Sequence, residues 1–160
     1  MEKTISETTR RRLNAQGLCD VDDKTLAEIA PWHRLAFALC AIFAATGTIL
    51  AWPLFLWILS IVAILAVIFP VHPFDLIYNH GIRYLRNTGP LPIRRAQTRF
   101  ACGVGAVWLI ATGLAFYFGA TNLGYILGFA LVSLTVLVST TDICIASIIY
   151  NTLFSRSQTN

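Results

Sequence analysis

The chain has 160 residues, enough for one domain, and 56% of them are hydrophobic while only 12% are charged. This composition lies outside the range of ordinary soluble domains and indicates a membrane protein. The net charge of +4 comes from basic residues that flank long apolar runs. We attribute it to membrane topology and anionic lipid headgroups, and we expect no nucleic-acid partner.

The first residues, 1–31, form a polar arm that includes the run TRRRL. No short apolar region with a small-residue cleavage site follows it, so we expect no cleaved signal peptide. Two short helices are predicted, over TTRRRLNAQG and VDDKTLAEIA. Asp22 or Asp23 caps the second helix and Pro31 ends it.

Two apolar runs, 35–71 and 100–141, contain no charged residue. Each exceeds the ~20 residues that one crossing needs and is long enough for two. Pro53 fits the first turn of a helix, which makes the first pair of spans a tight hairpin. The predicted fold is all-α, a four-transmembrane-helix bundle of two helical hairpins within a membrane domain, 32–154, followed by a tail, 155–160. The predicted spans are about 35–52, 53–70, 101–119 and 123–142.

The connector between the two hairpins, 71–100, is the only long polar segment between the apolar runs. An apolar stripe at helical spacing predicts an amphipathic interfacial helix there. Asp75 falls outside the stripe, and Gly89-Pro90-Leu91-Pro92 ends the helix. The stripe consists of Phe74, Ile77, Tyr78, Gly81 and Leu85.

Charge predicts the orientation of the helices. Of the twelve Lys and Arg residues, eleven lie in the arm, the connector or the tail, Arg34 directly follows the arm, and none lies in either hairpin turn. The positive-inside rule therefore places both termini and the connector in the cytoplasm, in a multi-pass protein of the inner membrane.

This topology gathers most of the reactive side chains at the cytoplasmic end. We predict a polar corner there, with a binding or a structural role. An alternative is that charged residues must lie near the interface in any four-span protein, and that cysteine is simply a small residue well suited to interiors. The candidate residues are His72, Asp75, Arg83, Arg86, Arg99 and Cys102.

Asp142 is the strongest single candidate for a functional residue. It lies in the predicted fourth helix, and the sequence continues apolar beyond it. An aspartate at a membrane boundary is costly and is usually paired. We predict an ion pair with a connector arginine, and a proton or cation site is the alternative. The possible partners are Arg83, Arg86, Arg94, Arg95 and Arg99.

Cys144 and Ser147 have the Cys-x-x-Ser spacing, in which a serine replaces the second thiol of a redox pair. Such a cysteine reacts only as a thiolate. The predicted position, in the C-terminal half of a helix and two residues from Asp142, disfavours an anion, whereas nearby arginines would favour one. Redox chemistry therefore remains an alternative for Cys144.

Metal binding is a further alternative for the connector. His72, Asp75 and His80, together with Cys102 or Cys144, would supply ligands, but no pair has a strong metal spacing. We therefore predict no metal and no cofactor, and we expect these side chains to cap helices and contact headgroups.

Three short motifs resemble a known family. They are His72-Pro73-Phe74-Asp75, Arg99-Phe100-Ala101-Cys102-Gly103 and Cys144-Ile145-Ala146-Ser147. Through them the chain resembles, over roughly 32–154, the small bacterial integral membrane proteins catalogued as domain of unknown function 4395. The resemblance implies four helices and a Cys-x-x-Cys or related motif late in the fourth. Ser147 stands where many members have the second cysteine, which argues against a disulfide or a two-thiolate metal site. The resemblance implies no particular reaction.

Three functional hypotheses follow. The leading one is non-enzymatic, a membrane scaffold or accessory subunit that docks a partner through its spans and its cytoplasmic arm. The second is a thiol- or sulfur-handling protein in which Cys144 acts and is held by Asp142, Ser147, His72 and connector arginines. The third is a small-solute or ion carrier that uses Asp142 and needs oligomerisation. Gly124 and Gly128, at Gly-x-x-x-Gly spacing, would serve that close contact.

Overall fold

The computed structural model describes residues 5–86 and 88–154, with the backbone alone at Arg86, and in that part of the chain the fold is all-α without strands. Three helices, Asp23–Ile49, Ala96–Tyr117 and Thr121–Thr141, are long and apolar enough to cross a membrane, and the helix Pro53–Ile68 is shorter, at 16 residues. The helices are α1 (Glu7–Ala15), α2 (Asp23–Ile49), α3 (Pro53–Ile68), α4 (Asp75–Ile77), a π-helical turn (Tyr78–Ile82), α5 (Arg83–Arg86), α6 (Ala96–Tyr117), α7 (Thr121–Thr141) and α8 (Ile145–Phe154).

The four longest helices form a closed ring. α6 packs against α3 and α7, and α2 packs against the same two helices. Pro53 begins α3, as predicted. The turn between α6 and α7 uses Gly119 at φ 78°, and the Ala120 N–H donates to the Ala115 carbonyl, which satisfies the end of α6 as in a Schellman motif.

Small residues let the helices of this ring approach closely. A methyl group added to Gly128 would lie 2.4 Å from the Cγ2 atom of Thr48 on α2. One added to Gly124 would lie 2.6 Å from the ring of Phe116 on α6. Both glycines of the Gly-x-x-x-Gly pair therefore pack within this chain. The core of the ring consists of Ala44, Leu56, Leu59, Ala63, Ala106, Leu109, Phe116 and Leu131.

The arm is folded against one end of the ring. The Arg12 guanidinium donates to the Thr141 carbonyl, 2.9 Å away, and the Asn151 amide donates to the Ala15 carbonyl, also at 2.9 Å. A second apolar core joins α1, the start of α2 and the connector. It consists of Leu13, Leu18, Leu26, Ile29, Ala30, Tyr78 and Leu91.

The prediction that Pro31 ends a helix was wrong. α2 runs unbroken through it, from Asp23 to Ile49, and Asp22 caps the first turn by accepting the Thr25 N–H at 2.9 Å. Pro31 costs the helix one hydrogen bond. Packing of α2 in the second core before Pro31 and in the ring after it outweighs that loss.

The connector is helical as predicted, and its apolar stripe divides between the protein interior and the outer surface. Tyr78 is fully buried, whereas Ile77 and Leu85 of the predicted stripe are 51% and 88% exposed. Asp75, which falls outside the stripe, is only 3% exposed. The π-helical turn at Tyr78–Ile82 shifts the register of the side chains, because it needs more residues per turn than an α-helix.

The predicted fourth helix is in fact two helices. α7 ends at Thr141, Asp142 adopts a left-handed conformation at φ 59°, and α8 begins at Ile145. Aspartate tolerates this conformation better than most residues. The Gln16 amide also donates to the Asp142 carbonyl at 2.8 Å, which holds the break in place.

Candidate functional site

A buried ion pair lies beside the cytoplasmic ends predicted for the helices. Arg94 donates to both carboxylate oxygens of Asp75, at 2.6 and 2.8 Å, and the two side chains are 1% and 3% exposed. Burial alone would raise the pKa of Asp75, but the hydrogen bonds and charge of Arg94 outweigh it and lower that pKa. The pair is therefore charged at neutral pH.

One nitrogen of the Arg94 guanidinium has no hydrogen-bond partner among the described residues. The guanidinium lies over the ring of Phe37, 5.2 Å from the centroid. The unpartnered nitrogen, Nη1, is buried. Cys40 and Cys102 are within electrostatic range of the same guanidinium.

His72 is buried beside this pair in a defined tautomer. The Phe74 N–H donates to its Nδ1 atom at 3.2 Å, so a neutral ring carries its proton on Nε2. Burial, reinforced by the charge of Arg94, lowers the pKa of His72 to about 4 against the opposing effect of Asp75. The ring is neutral at pH 7 and offers one N–H donor.

A cavity of about 140 Å³ lies between the helices next to His72. Cys40 from α2, Cys102 from α6 and Cys144 from the break before α8 all line it, together with His72 and Phe37. The other lining residues are almost all apolar. Engineered apolar cavities of about 150 Å³ bind benzene, so this cavity has room for a small molecule.

Cys144 stands at the start of a helix, not in the C-terminal half of one as predicted. Its carbonyl accepts the Ile148 N–H at 3.1 Å, so it occupies the N-cap position of α8. The helix dipole favours negative charge on a side chain there. Ser147 is fully buried one turn later and donates its hydroxyl to the Gln97 carbonyl at 3.4 Å.

The prediction that Asp142 pairs with a connector arginine was wrong. Its partner is Arg34 of α2, whose Nε donates to Oδ1 at 2.7 Å and whose Nη2 donates to Oδ2. The Asp142 side chain is 3% exposed. A bidentate arginine occupies both carboxylate oxygens, so the geometry favours the structural reading of Asp142 over a cation site.

Three residues of the predicted polar corner, His72, Asp75 and Cys102, lie close together. Its arginines do not join them in the described part of the chain. Arg83 packs on the ring of Tyr84. Arg99 donates to the Val67 and Ile68 carbonyls at the end of α3. The side chain of Arg86 is outside the described residues, as is the tail, 155–160.

A metal site was an alternative for these side chains. In residues 5–86 and 88–154, no group of three or more His, Cys, Asp and Glu side chains is arranged to hold a metal ion. All four cysteines there are free thiols. His80, a ligand in that alternative, is not among the residues that line the cavity and lies near the Leu76 carbonyl.

Residues 30–155 match the family described as domain of unknown function (DUF4395). The chain belongs to this family. The DUF4395 region contains every residue that lines the cavity, and it leaves α1 outside. Comparison with curated proteins and with solved structures gives no match.

Proposed function

We propose that this DUF4395 protein is a bacterial inner-membrane protein with four spans, with both termini and the connector in the cytoplasm. The proposed units are an arm, 1–31, a membrane domain, 32–154, and a tail, 155–160. The helix that needs support as a span is α3, and the positions of its two ends provide it. α3 begins beside the end of α2, and the Arg99 Nε donates to the Val67 carbonyl at 2.7 Å, so α3 ends beside the start of α6. α3 therefore runs beside α6 from the hairpin turn to the Arg99 end, although its 16 residues rise only about 24 Å at ~1.5 Å per residue.

This topology predicts which turns react with an impermeant maleimide in intact cells. With the four native cysteines replaced by serine, Asn122→Cys, beside the α6–α7 turn, should be labelled from outside. His80→Cys should be labelled only after the membrane is opened, because the proposed topology places the connector in the cytoplasm. Both positions carry exposed polar side chains, so the two sites are matched in accessibility. The reverse pattern would invert the topology.

The function that the geometry favours is the handling of thiols or sulfur by Cys144. The single observation that carries this proposal is that Cys144, at the N-terminus of α8, lines the same cavity as Cys40, Cys102 and His72. A helix N-terminus stabilises a thiolate, and the cavity offers an apolar volume for the rest of a substrate. The class of substrate is a small, largely apolar disulfide.

The reaction would be thiol–disulfide exchange. The Cys144 sulfur forms a bond to one sulfur of the substrate while the substrate S–S bond breaks. The other half leaves as a thiol and takes the proton that Cys144 loses. The Nε2–H of His72 is a donor available to the departing sulfur.

Dipyridyl disulfide tests this proposal, because exchange releases coloured thiopyridone. In a Cys19→Ser background, which removes an exposed thiol, we expect a fast phase from Cys144 about tenfold faster than any other cysteine. Cys144→Ser should abolish the fast phase, and Cys102→Ser should retain it. Gly105→Leu should slow it, because Gly105 lines the cavity and has open space at its Cα. A fast phase that survives Cys144→Ser would refute the proposal.

The other two functions have less support. The scaffold hypothesis uses the spans and the arm to dock a partner, but Leu13 and Leu18 of the arm are buried in the chain's own second core. Deleting the arm would therefore unfold that core and could not identify a docking role. The carrier hypothesis relies on Asp142, whose two carboxylate oxygens both accept from Arg34.

A further inference from the structure

A groove runs along the outer face of α6, apart from the cysteine cavity. It lies between α3 and α7, its walls are apolar, and Arg99 is the one charged residue among those that line it. Val104 and Trp108 line both the groove and the cavity, so they form the wall between the two. The groove is lined by Val67, Arg99, Phe100, Gly103, Val104, Val107, Trp108, Ala111 and Leu127.

The polar end of the groove is Arg99. Its Nε donates to the Val67 carbonyl at 2.7 Å and its Nη2 to the Ile68 carbonyl at 3.3 Å, which fixes the guanidinium at the end of α3. None of the ion pairs among the described residues includes Arg99. From Arg99 to Ala111, α6 rises about 18 Å at ~1.5 Å per residue. The groove is thus a long apolar slot with one uncompensated positive charge at its end.

We propose that this groove binds one acyl chain of an anionic phospholipid, whose phosphate contacts Arg99. The argument is charge complementarity: an amphiphile with an apolar tail and a net negative head matches an apolar slot that ends in a guanidinium. A zwitterionic lipid supplies the same tail but brings a positive group to the same end. The inference rests on the four-span arrangement proposed above and is independent of the chemistry of the cysteines.

Trp108 reports on the groove directly. Its indole Nε1 donates to the Leu127 carbonyl at 2.9 Å, so the ring bridges α6 and α7 while it lines the groove. A brominated acyl chain in the groove would lie against this ring and quench its fluorescence.

The experiment uses the full chain in phosphatidylcholine vesicles, with Trp32, Trp52 and Trp57 replaced by phenylalanine. Brominated phosphatidylglycerol and brominated phosphatidylcholine are compared at equal mole fraction. We expect phosphatidylglycerol to bind at Trp108 about fivefold more tightly, the ratio expected for one arginine acting on an anionic lipid. Arg99→Gln should bring the ratio close to one, and Arg99→Lys should preserve most of it.

Two glycines on α6 give a matched control. Gly103 lines the groove, and an added methyl group meets only the Val67 Cγ2 at 3.6 Å, so Gly103→Leu should fill the groove and abolish the preference. Gly105 faces the cavity and has open space, so Gly105→Leu should leave the preference intact. Equal quenching by both lipids, or a preference that survives Gly103→Leu, would overturn the lipid site. If neither lipid quenched any tryptophan of the unmodified chain, the four-span arrangement itself would fail.

Discussion

Asp75→Asn is expected to destabilise the protein by roughly 3–5 kcal/mol, the usual cost of breaking a buried ion pair by removing one partner. The variant leaves the Arg94 guanidinium, 1% exposed, without a counter-charge. An arginine cannot lose its proton to escape this cost. The measurement is the denaturation midpoint in mixed micelles, followed by circular dichroism, from which the free energy of unfolding is obtained.

A double variant tests whether the unpaired charge of Arg94 causes the loss of stability. Asp75→Leu with Arg94→Met replaces both partners by apolar groups and should recover most of the lost stability. Glu7→Gln is the control, because it removes a pair with Arg11 in which both side chains are more than three-quarters exposed, and it should have no measurable effect. If the double variant were no more stable than Asp75→Asn, burial of an unpaired charge would not be the cause.

Gly128→Val is expected to have the second-largest effect, about 3 kcal/mol, at the upper end for overpacking. The added Cβ would lie 2.4 Å from Thr48, and Thr48 is fully buried, so it has no space to move into. α2 and α7 would have to separate along their contact. The same micelle titration measures the loss of stability.

Gly105→Val is the matched control for this prediction. It places the same β-branched side chain in a helix of the same ring, but nothing lies within 4 Å of the added Cβ. We expect the helix propensities to cancel in this comparison and the difference to report packing alone. Equal destabilisation by the two substitutions would show that α2 and α7 do not depend on close approach at Gly128.

The apolar runs predicted the helices of the ring because hydropathy depends on local composition. They could not predict which residues face one another. The ring helices are apolar on most sides, so their sequences carry little information on rotation about the helix axis. The cysteines were therefore predicted at one end of the bundle, and only the structure shows that Cys40, Cys102 and Cys144 line one cavity.

Local sequence could not predict which acidic and basic side chains form ion pairs. Asp75 meets Arg94 nineteen residues away, and Asp142 meets Arg34 across 108 residues. Asp142 is also the left-handed residue at the helix break, and nothing in the local sequence marks this break or the N-terminal position of Cys144 on α8. Arg94 had appeared only as one of five possible partners for Asp142. The one local hint was a carboxylate at Asp75 inside an otherwise apolar, aromatic segment.

The docking of the arm has a consequence for the order in which the protein is made. The ribosome synthesises α1 before the ring helices, yet three of the groups that hold the arm lie at Thr141, Asp142 and Asn151, much later in the chain. The arm can pack in the second core once the connector has been made, but these three contacts form only after α7 and α8 have been made. Nascent chains arrested before residue 141 should therefore expose the arm to protease more than chains that extend through α8.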